Sequence, residues 1–236
     1  MRSVKYGETS LVVTVFTERF GLQSYMVSGV RKSSARGANP AAMYQPGALL
    51  DMVVYHHGER NLHRIREASW AYVYRQMYDD VRKNTVSLFM VELLLKCLRQ
   101  PEPQEDLFLF VEDALHFLDQ AQPLAAANFP LYFALHLSHF FGFRLQDNFG
   151  ASHPILDLRE GAFVESPPLH PDWSGPELGS QVSIFLKAIH PDSLTELPLN
   201  RDQRRKLMEL VVLFYRLHSA EFGELRSLPV LQAILD

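Results

Sequence analysis

Two hydrophobic periods divide the chain. Up to about Tyr74 apolar positions recur at every second residue, and from Met77 onward they recur at every third and fourth. Ser10 to Phe16 sets Leu11, Val13 and Val15 against Val12, Thr14 and Phe16, a β-branched and aromatic run that is apolar on both faces and so belongs in a covered or closed sheet. Glu18-Arg19-Phe20-Gly21 supplies a short turn, with glycine where a positive φ is needed, and Leu22 to Val30 is the return strand. The strand signature resumes over Ala48 to His57, turns at Gly58-Glu59 and continues from Asn61 to Tyr74. Strict alternation there puts Leu62, Arg64 and Arg66 on one face and His63, Ile65 and Glu67 on the other. Short strands with frequent turns predict a five-stranded Greek-key barrel of the OB type over 1–77. Its first strand, Arg2 to Lys5 before the Tyr6-Gly7-Glu8 kink, is short: either its start is truncated or the barrel closes on an abbreviated strand.

The second period predicts a helical domain over 78–236, giving an α+β, two-domain chain. Val86, Phe89, Met90, Leu93, Leu94 and Cys97 share one helical face, and Leu88, Val91, Leu95 and Leu98 fill much of the rest, so this helix is central and buried. Pro101 and Pro103 end it. Asp106 to Gln120 carries a second apolar face, and a third helix, starting at Leu124 or Phe129, runs to Phe141 and stops at Gly142. The stretch 144–179 has no helical period and holds five prolines, so it reads as an irregular insertion. Within it Ile155 to Leu158 and Ala162 to Glu165 flank Arg159-Glu160-Gly161 as a small β-hairpin. Helices resume over Gly179 to Ile189, over Asn200 to Glu221, where Asn200 and Gln203 have capping-box spacing, and over Ser227 to Leu235.

Composition adds direction to this outline. With 47% apolar and 21% charged residues the chain is globular. One cysteine, Cys97, excludes an internal disulfide framework and, on its apolar helical face, reads as a buried thiol in a reducing compartment. No secretory signal and no uninterrupted membrane-length apolar run is visible, which places the protein in the cytoplasm with no membrane partner. The net charge of −4 hides an asymmetry: Met1 to Arg75 carries ten Lys or Arg against five Asp or Glu, so it stands at +5 and the remainder at −4 − 5 = −9. A basic sheet followed by an acidic helical part suits a polyanion on one and protein partners on the other.

The candidate DNA-binding set is Lys5, Arg31, Lys32, Arg36, Arg60, Arg64 and Arg66, gathered on one exposed side, with 31–40 as a small, polar, cationic loop able to close over a strand. Tyr6, Phe16, Tyr25, Tyr44 and Tyr55 are either core or base-stacking residues, Phe16 being core and Tyr25 and Tyr44 the candidates for DNA contact. The His56-His57 pair and His136 with His139 lack the carboxylate company that acid–base or metal chemistry needs. HExxH, GxSxG and GxxxxGK[ST] strings are absent from the sequence. No catalytic residue, cofactor or metal is therefore expected.

One resemblance is specific. The order and spacing of Lys5, Tyr6, Gly7, Glu8, Ser10, Leu11, Val13, Thr17, Glu18, Gly21, Val27, Gly29 and Arg31 resemble the start of the bacterial recombination mediator RecO family. The likeness continues through Gln45-Pro46-Gly47 with Leu49, Leu62 to Glu67, Glu92-Leu93-Leu94, and Phe222-Gly223 with Leu225, Ser227 and Leu231. Family members carry several more residues before the position of Met1, which implies a missing piece of the first strand, and many hold zinc on two CxxC pairs in the irregular region. This chain lacks those cysteines, and His153 and His170 alone make an incomplete set. The resemblance implies a non-enzymatic recombinational repair protein. It would bind single- and double-stranded DNA, anneal complementary strands and, with RecR, assist RecA loading onto DNA coated by single-stranded DNA-binding protein. It also implies a pocket for that protein's acidic, Phe-ended tail, for which Lys96, Arg99, Arg144 and Lys187 are candidate cations. The alternative is an adaptor whose OB-like barrel makes protein contacts.

Overall fold

The structure, a computed structural model, describes residues 2–30, 40–58, 60–98 and 101–235. It divides into two compact units, Met1–Arg75 with Leu98–His116, and Gln76–Cys97 with Phe117–Asp236.

The first unit is built on five strands: β1 (Arg2–Tyr6), β2 (Ser10–Thr17), β3 (Gly21–Val27), β4 (Leu50–Tyr55) and β5 (His63–Trp70). Their order is β1-β2-β3-β5-β4, antiparallel except where β3 runs parallel to β5. The core is the inward row of β2 and β3, Leu11, Val13, Val15, Tyr25 and Val27, closed by Tyr44 from a 3-10 turn at Pro40–Tyr44 and by Met52, Val54 and Ile65. Burying β-branched and aromatic side chains on this one face is what holds the sheet.

The sheet is not the closed barrel that the strand count predicts. Among the described residues no ladder joins β1 to β4, which form its two edges. All five residues of β1 are matched to β2, from Arg2↔Thr14 to Tyr6↔Ser10. Closure depends on strand tilt and stagger, quantities that a period-two pattern does not encode. A second departure sits in β5. Val53 pairs with Glu67 but Val54 pairs with Ile65, leaving Arg66 as the extra residue of a β-bulge.

The turn between β2 and β3 is fixed by Thr17, whose hydroxyl donates to Gly21 O at 2.9 Å and accepts from Phe20 N–H at 3.1 Å. Gly21 has φ +62° and a Cβ there would collide with the Glu102 carbonyl oxygen, so glycine is required twice over.

The second unit is helical. Its central helix α1 (Val81–Cys97) buries Val86, Phe89, Met90, Leu93, Leu94 and Cys97, the face its periodicity predicts. Lys83 is buried near the start of α1, where its Nζ donates to Gln76 Oε1 and Asp119 O, both at 2.8 Å; these acceptors compensate the charge for lost water. α2 (Glu105–Gln120), which belongs to the first unit up to His116, is followed by α3 (Pro123–Leu137), which begins on a proline at its first turn and ends in a 3-10 turn, Ser138–Phe141, before Gly142 at φ 78°. The insertion forms a three-stranded sheet, β6 (Ile155–Asp157), β7 (Ala162–Val164) and β8 (Trp173–Ser174), in the order β7-β6-β8. Buried Asp157 organises it, accepting the N–H groups of Arg159 and Glu160 and facing His170 at 3.3 Å, while Arg159 and Asp172 pair at 2.7 Å.

The fold ends with α4 (Pro176–Lys187), α5 (Arg201–His218) and α6 (Ser227–Leu235). The capping box at the start of α5 is present, with Asn200 and Gln203 bonded reciprocally at 2.9 Å. α6 is capped from α1: the Glu92 carboxylate accepts the N–H groups of Arg226 and Ser227 and the Ser227 hydroxyl. Burial pushes Glu92 up, but these donors and the Lys96 ammonium outweigh it and hold the carboxyl below its usual range. Among the described residues no helix is long and apolar enough to cross a membrane.

Candidate nucleic-acid interface

Facing residues in a ladder lie on one side of the sheet, so the register assigns each candidate to a face. Arg64 pairs with Tyr55 on β4 and with Met26 on β3, opposite to the core row, and is exposed. Tyr55 is 55% exposed beside it. The outer face therefore presents a guanidinium next to an open aromatic ring, the pairing that tracks phosphate and base along single strands. Tyr6, also 55% exposed, lies on this face at the other edge, paired with Ser10.

The remaining described cations do not join Arg64 on one side. Lys5 pairs with buried Leu11, so it lies on the core side of the sheet at its open edge. Arg66, displaced by the bulge, forms an exposed 3.1 Å pair with Glu67, and Glu67 opposes Val53 on the outer face. The expected grouping of Glu67 with His63 and Ile65 thus fails, because the extra residue resets the alternation. Arg60 projects from the loop between β4 and β5 into a cleft that it shares with Arg19, a residue the sequence pattern did not single out. Arg31, Lys32 and Arg36, and the predicted loop up to Asn39, lie outside the described residues.

The aromatics also redistribute. Tyr25 and Tyr44 are 0% and 5% exposed and belong to the core, where desolvation raises both phenols. Phe16 is half-buried against Phe108 at 5.9 Å. His136 Nε2 bonds Phe185 O at 3.2 Å, and its imidazole is held below the usual range by burial. Among the described residues no group of three or more His, Cys, Asp or Glu is arranged to hold a metal ion.

In the helical unit two of the suggested tail-binding cations make contacts within the fold. Lys96 Nζ donates to Phe222 O at 2.9 Å, and Lys187 reaches Ser183 Oγ at 3.0 Å and Asp147 at 3.5 Å. Arg144 is exposed, and Arg99 lies outside the described residues. An apolar groove opens among α3, α5 and α6, floored by Pro130, Leu131, Met208 and Leu231 and rimmed by Arg201, by Arg204, which donates to Leu199 O, and by Arg205, which pairs with Glu209 at 3.2 Å.

Comparison with known proteins finds relatives along the whole chain. Residues 1–74 match the family model for the recombination protein O N terminal domain and 78–153 that for its C terminal domain. DNA repair protein RecO of Flavobacterium psychrophilum is 31% identical over 236 residues, covering 99% of this chain and 95% of the relative. The chain belongs to the RecO family. Its likeness to RecO of Christiangramia forsetii is 30% over 238 residues, 98% of this chain and 95% of that one, and to RecO of Phocaeicola vulgatus 26% over 236 residues, 100% and 96%. RecO proteins are DNA repair and recombination proteins, and the two family models meet near Arg75, where the strand-built unit hands over to α1.

Proposed function

We propose that this RecO-family chain is a non-enzymatic recombination mediator. It binds single- and double-stranded DNA without sequence preference, anneals complementary strands and, with RecR, assists RecA loading onto strands coated by single-stranded DNA-binding protein. The observation that carries this reading is the end-to-end likeness to DNA repair proteins RecO, over 98–99% of the chain at 30–31% identity. The outer face of the sheet supports it, since Arg64 beside exposed Tyr55 gives a screened, stackable surface. Annealing makes and breaks no covalent bond; cationic side chains relieve phosphate repulsion while the bases stay free to pair. Lys5, Arg60, Arg66 and the loop residues Arg31, Lys32 and Arg36 complete the DNA-contacting set of this reading.

The same reading seats the acidic, Phe-ended tail of single-stranded DNA-binding protein in the groove among α3, α5 and α6. An apolar floor takes the ring and the rim guanidinia take carboxylates. The test is annealing of complementary labelled oligonucleotides precoated with single-stranded DNA-binding protein, with intact or tail-deleted coating protein. We expect the chain to accelerate annealing, and to lose that acceleration on strands coated with the tail-deleted protein. No acceleration on either overturns the mediator reading; equal acceleration on both removes the tail from it.

A further inference from the structure

The cleft at the β2–β3 end of the sheet is more than a meeting of two loops. Phe20 from the turn stacks on His56 with ring centroids 4.0 Å apart and 13° between planes, and His56 stacks on His63 at 4.3 Å and 26°. Hydrogen bonds hold the two ends of the column. His63 Nε2 bonds Gln23 Oε1 at 3.1 Å, and its Nδ1 accepts the His57 N–H at 3.3 Å. Gln23 Nε2 in turn donates to Phe20 O at 2.7 Å. His63 is buried, whereas Phe20 and His56 are half-buried and line the cleft wall. Arg19 and Arg60, both exposed, line it too, Asn61 adds an amide, and none of the described lining residues is acidic. At about 350 Å³ the cleft falls at the lower end of the range for small-ligand sites.

We propose that this cleft is a single-nucleotide subsite, in which one unpaired DNA base stacks at the Phe20–His56 end of the ring column while its flanking phosphates lie against Arg19 and Arg60. The inference rests on the DNA-binding reading above and adds a discriminating element to it. Paired bases are covered on both faces by their own neighbours, so the subsite takes single strands and not blunt duplex. Because stacking on the hydrogen-bonded His63 ring already orders His56 and Phe20, little side-chain freedom is lost when a base arrives. The stack is indifferent to base identity, since each base offers a π-face.

The experiment is fluorescence anisotropy of the full chain with three probes at one salt concentration: oligothymidylate, the same backbone made of abasic units, and a blunt duplex. Phe20→Ala is expected to weaken oligothymidylate about tenfold, within the range of one lost base stack, while leaving the abasic strand and the duplex within about twofold; Phe20→Trp restores binding. Arg19→Ala with Arg60→Ala, two exposed positions that leave the fold intact, is expected to weaken oligothymidylate and abasic strand alike. Oligothymidylate is also expected to move the His56 ring resonances. Unchanged oligothymidylate affinity in both the Phe20→Ala and the double arginine variants, with His56 resonances that stay in place, overturns the subsite while leaving the broader DNA reading intact. Wild-type protein that binds none of the three probes overturns both.

Discussion

At the scale of single residues the instructive case is His63, which the sequence shows only as one alternating position of a strand. Burial, followed by the nearby His56, His57 and Arg60, holds its imidazole below the usual range, and the His57 N–H directed at Nδ1 requires that nitrogen to stay unprotonated. The native state therefore prefers neutral His63, whereas the unfolded chain takes up a proton near pH 6.5. Below that value the unfolded state binds more protons, so stability is complete above about pH 6.5 and declines as pH falls toward the depressed native value. His136, lowered by burial despite its carbonyl partners, adds a loss of the same sign. Thermal melts should accordingly show Tm dropping as pH falls below about 6.5, with a visibly shallower drop in His63→Asn, whatever that variant's absolute Tm. An identical pH slope in the two proteins would mean that His63 titrates freely in the fold. Tyr25 and Tyr44 teach a related lesson. In sequence they stand close to loops and resemble contact residues, yet they are the largest side chains available to fill a narrow sheet core, and burial claims them; exposed Tyr6 and Tyr55 occupy the opposite face by register alone.

Among elements, period and punctuation carried most of the information. The helical faces of α1 and α5, the Asn200–Gln203 cap and the hairpin inside the proline-rich insertion follow directly from spacing, because each depends on residues within one turn or one hairpin of each other. What spacing could not convey is what depends on a third element. The bulge at Arg66 needs the register against β4, the open edges need the stagger of all five strands, and the ring column joins a turn to a loop more than thirty residues away. His56-His57 was the visible signal for that cleft, and its meaning lay with Phe20 and Arg19 across the sheet. Gly21 separates local from tertiary demands experimentally. Gly7 and Gly21 share a left-handed backbone, φ +59° and +62°, but a Cβ at Gly7 meets nothing within 4 Å whereas one at Gly21 meets Glu102 O. Gly7→Ala should cost about 1 kcal/mol in urea unfolding, the conformational penalty alone. Gly21→Ala should cost clearly more, because the backbone of the 101–104 segment must also give way. Equal penalties would show that this segment does not rest on the turn in solution.

For the molecule as a whole, the sign and distribution of charge set how DNA affinity responds to salt. Residues 1–75 carry +5 and the remainder −9, so at a distance the chain looks mildly anionic while its first third is cationic. Binding then depends on a small number of close phosphate contacts that release counterions, and the logarithm of affinity should fall linearly with the logarithm of salt, by about 0.7 per phosphate neutralised on a single strand. Arg64→Glu, on the outer face, removes one such contact and should make the slope shallower by about 0.7 while weakening every sequence alike. Arg66→Glu is the internal control: its guanidinium already faces Glu67 from a bulge, in an exposed pair of the kind worth little to stability, and its reversal should change the slope less. Titrating both variants and wild type across a salt series, with melting curves to confirm that the exposed substitutions leave the fold unchanged, orders the contacts by geometry. If Arg66→Glu flattens the slope as much as Arg64→Glu does, affinity follows net charge and not the face on which a cation lies, and the outer sheet surface loses its standing as the track for the strand.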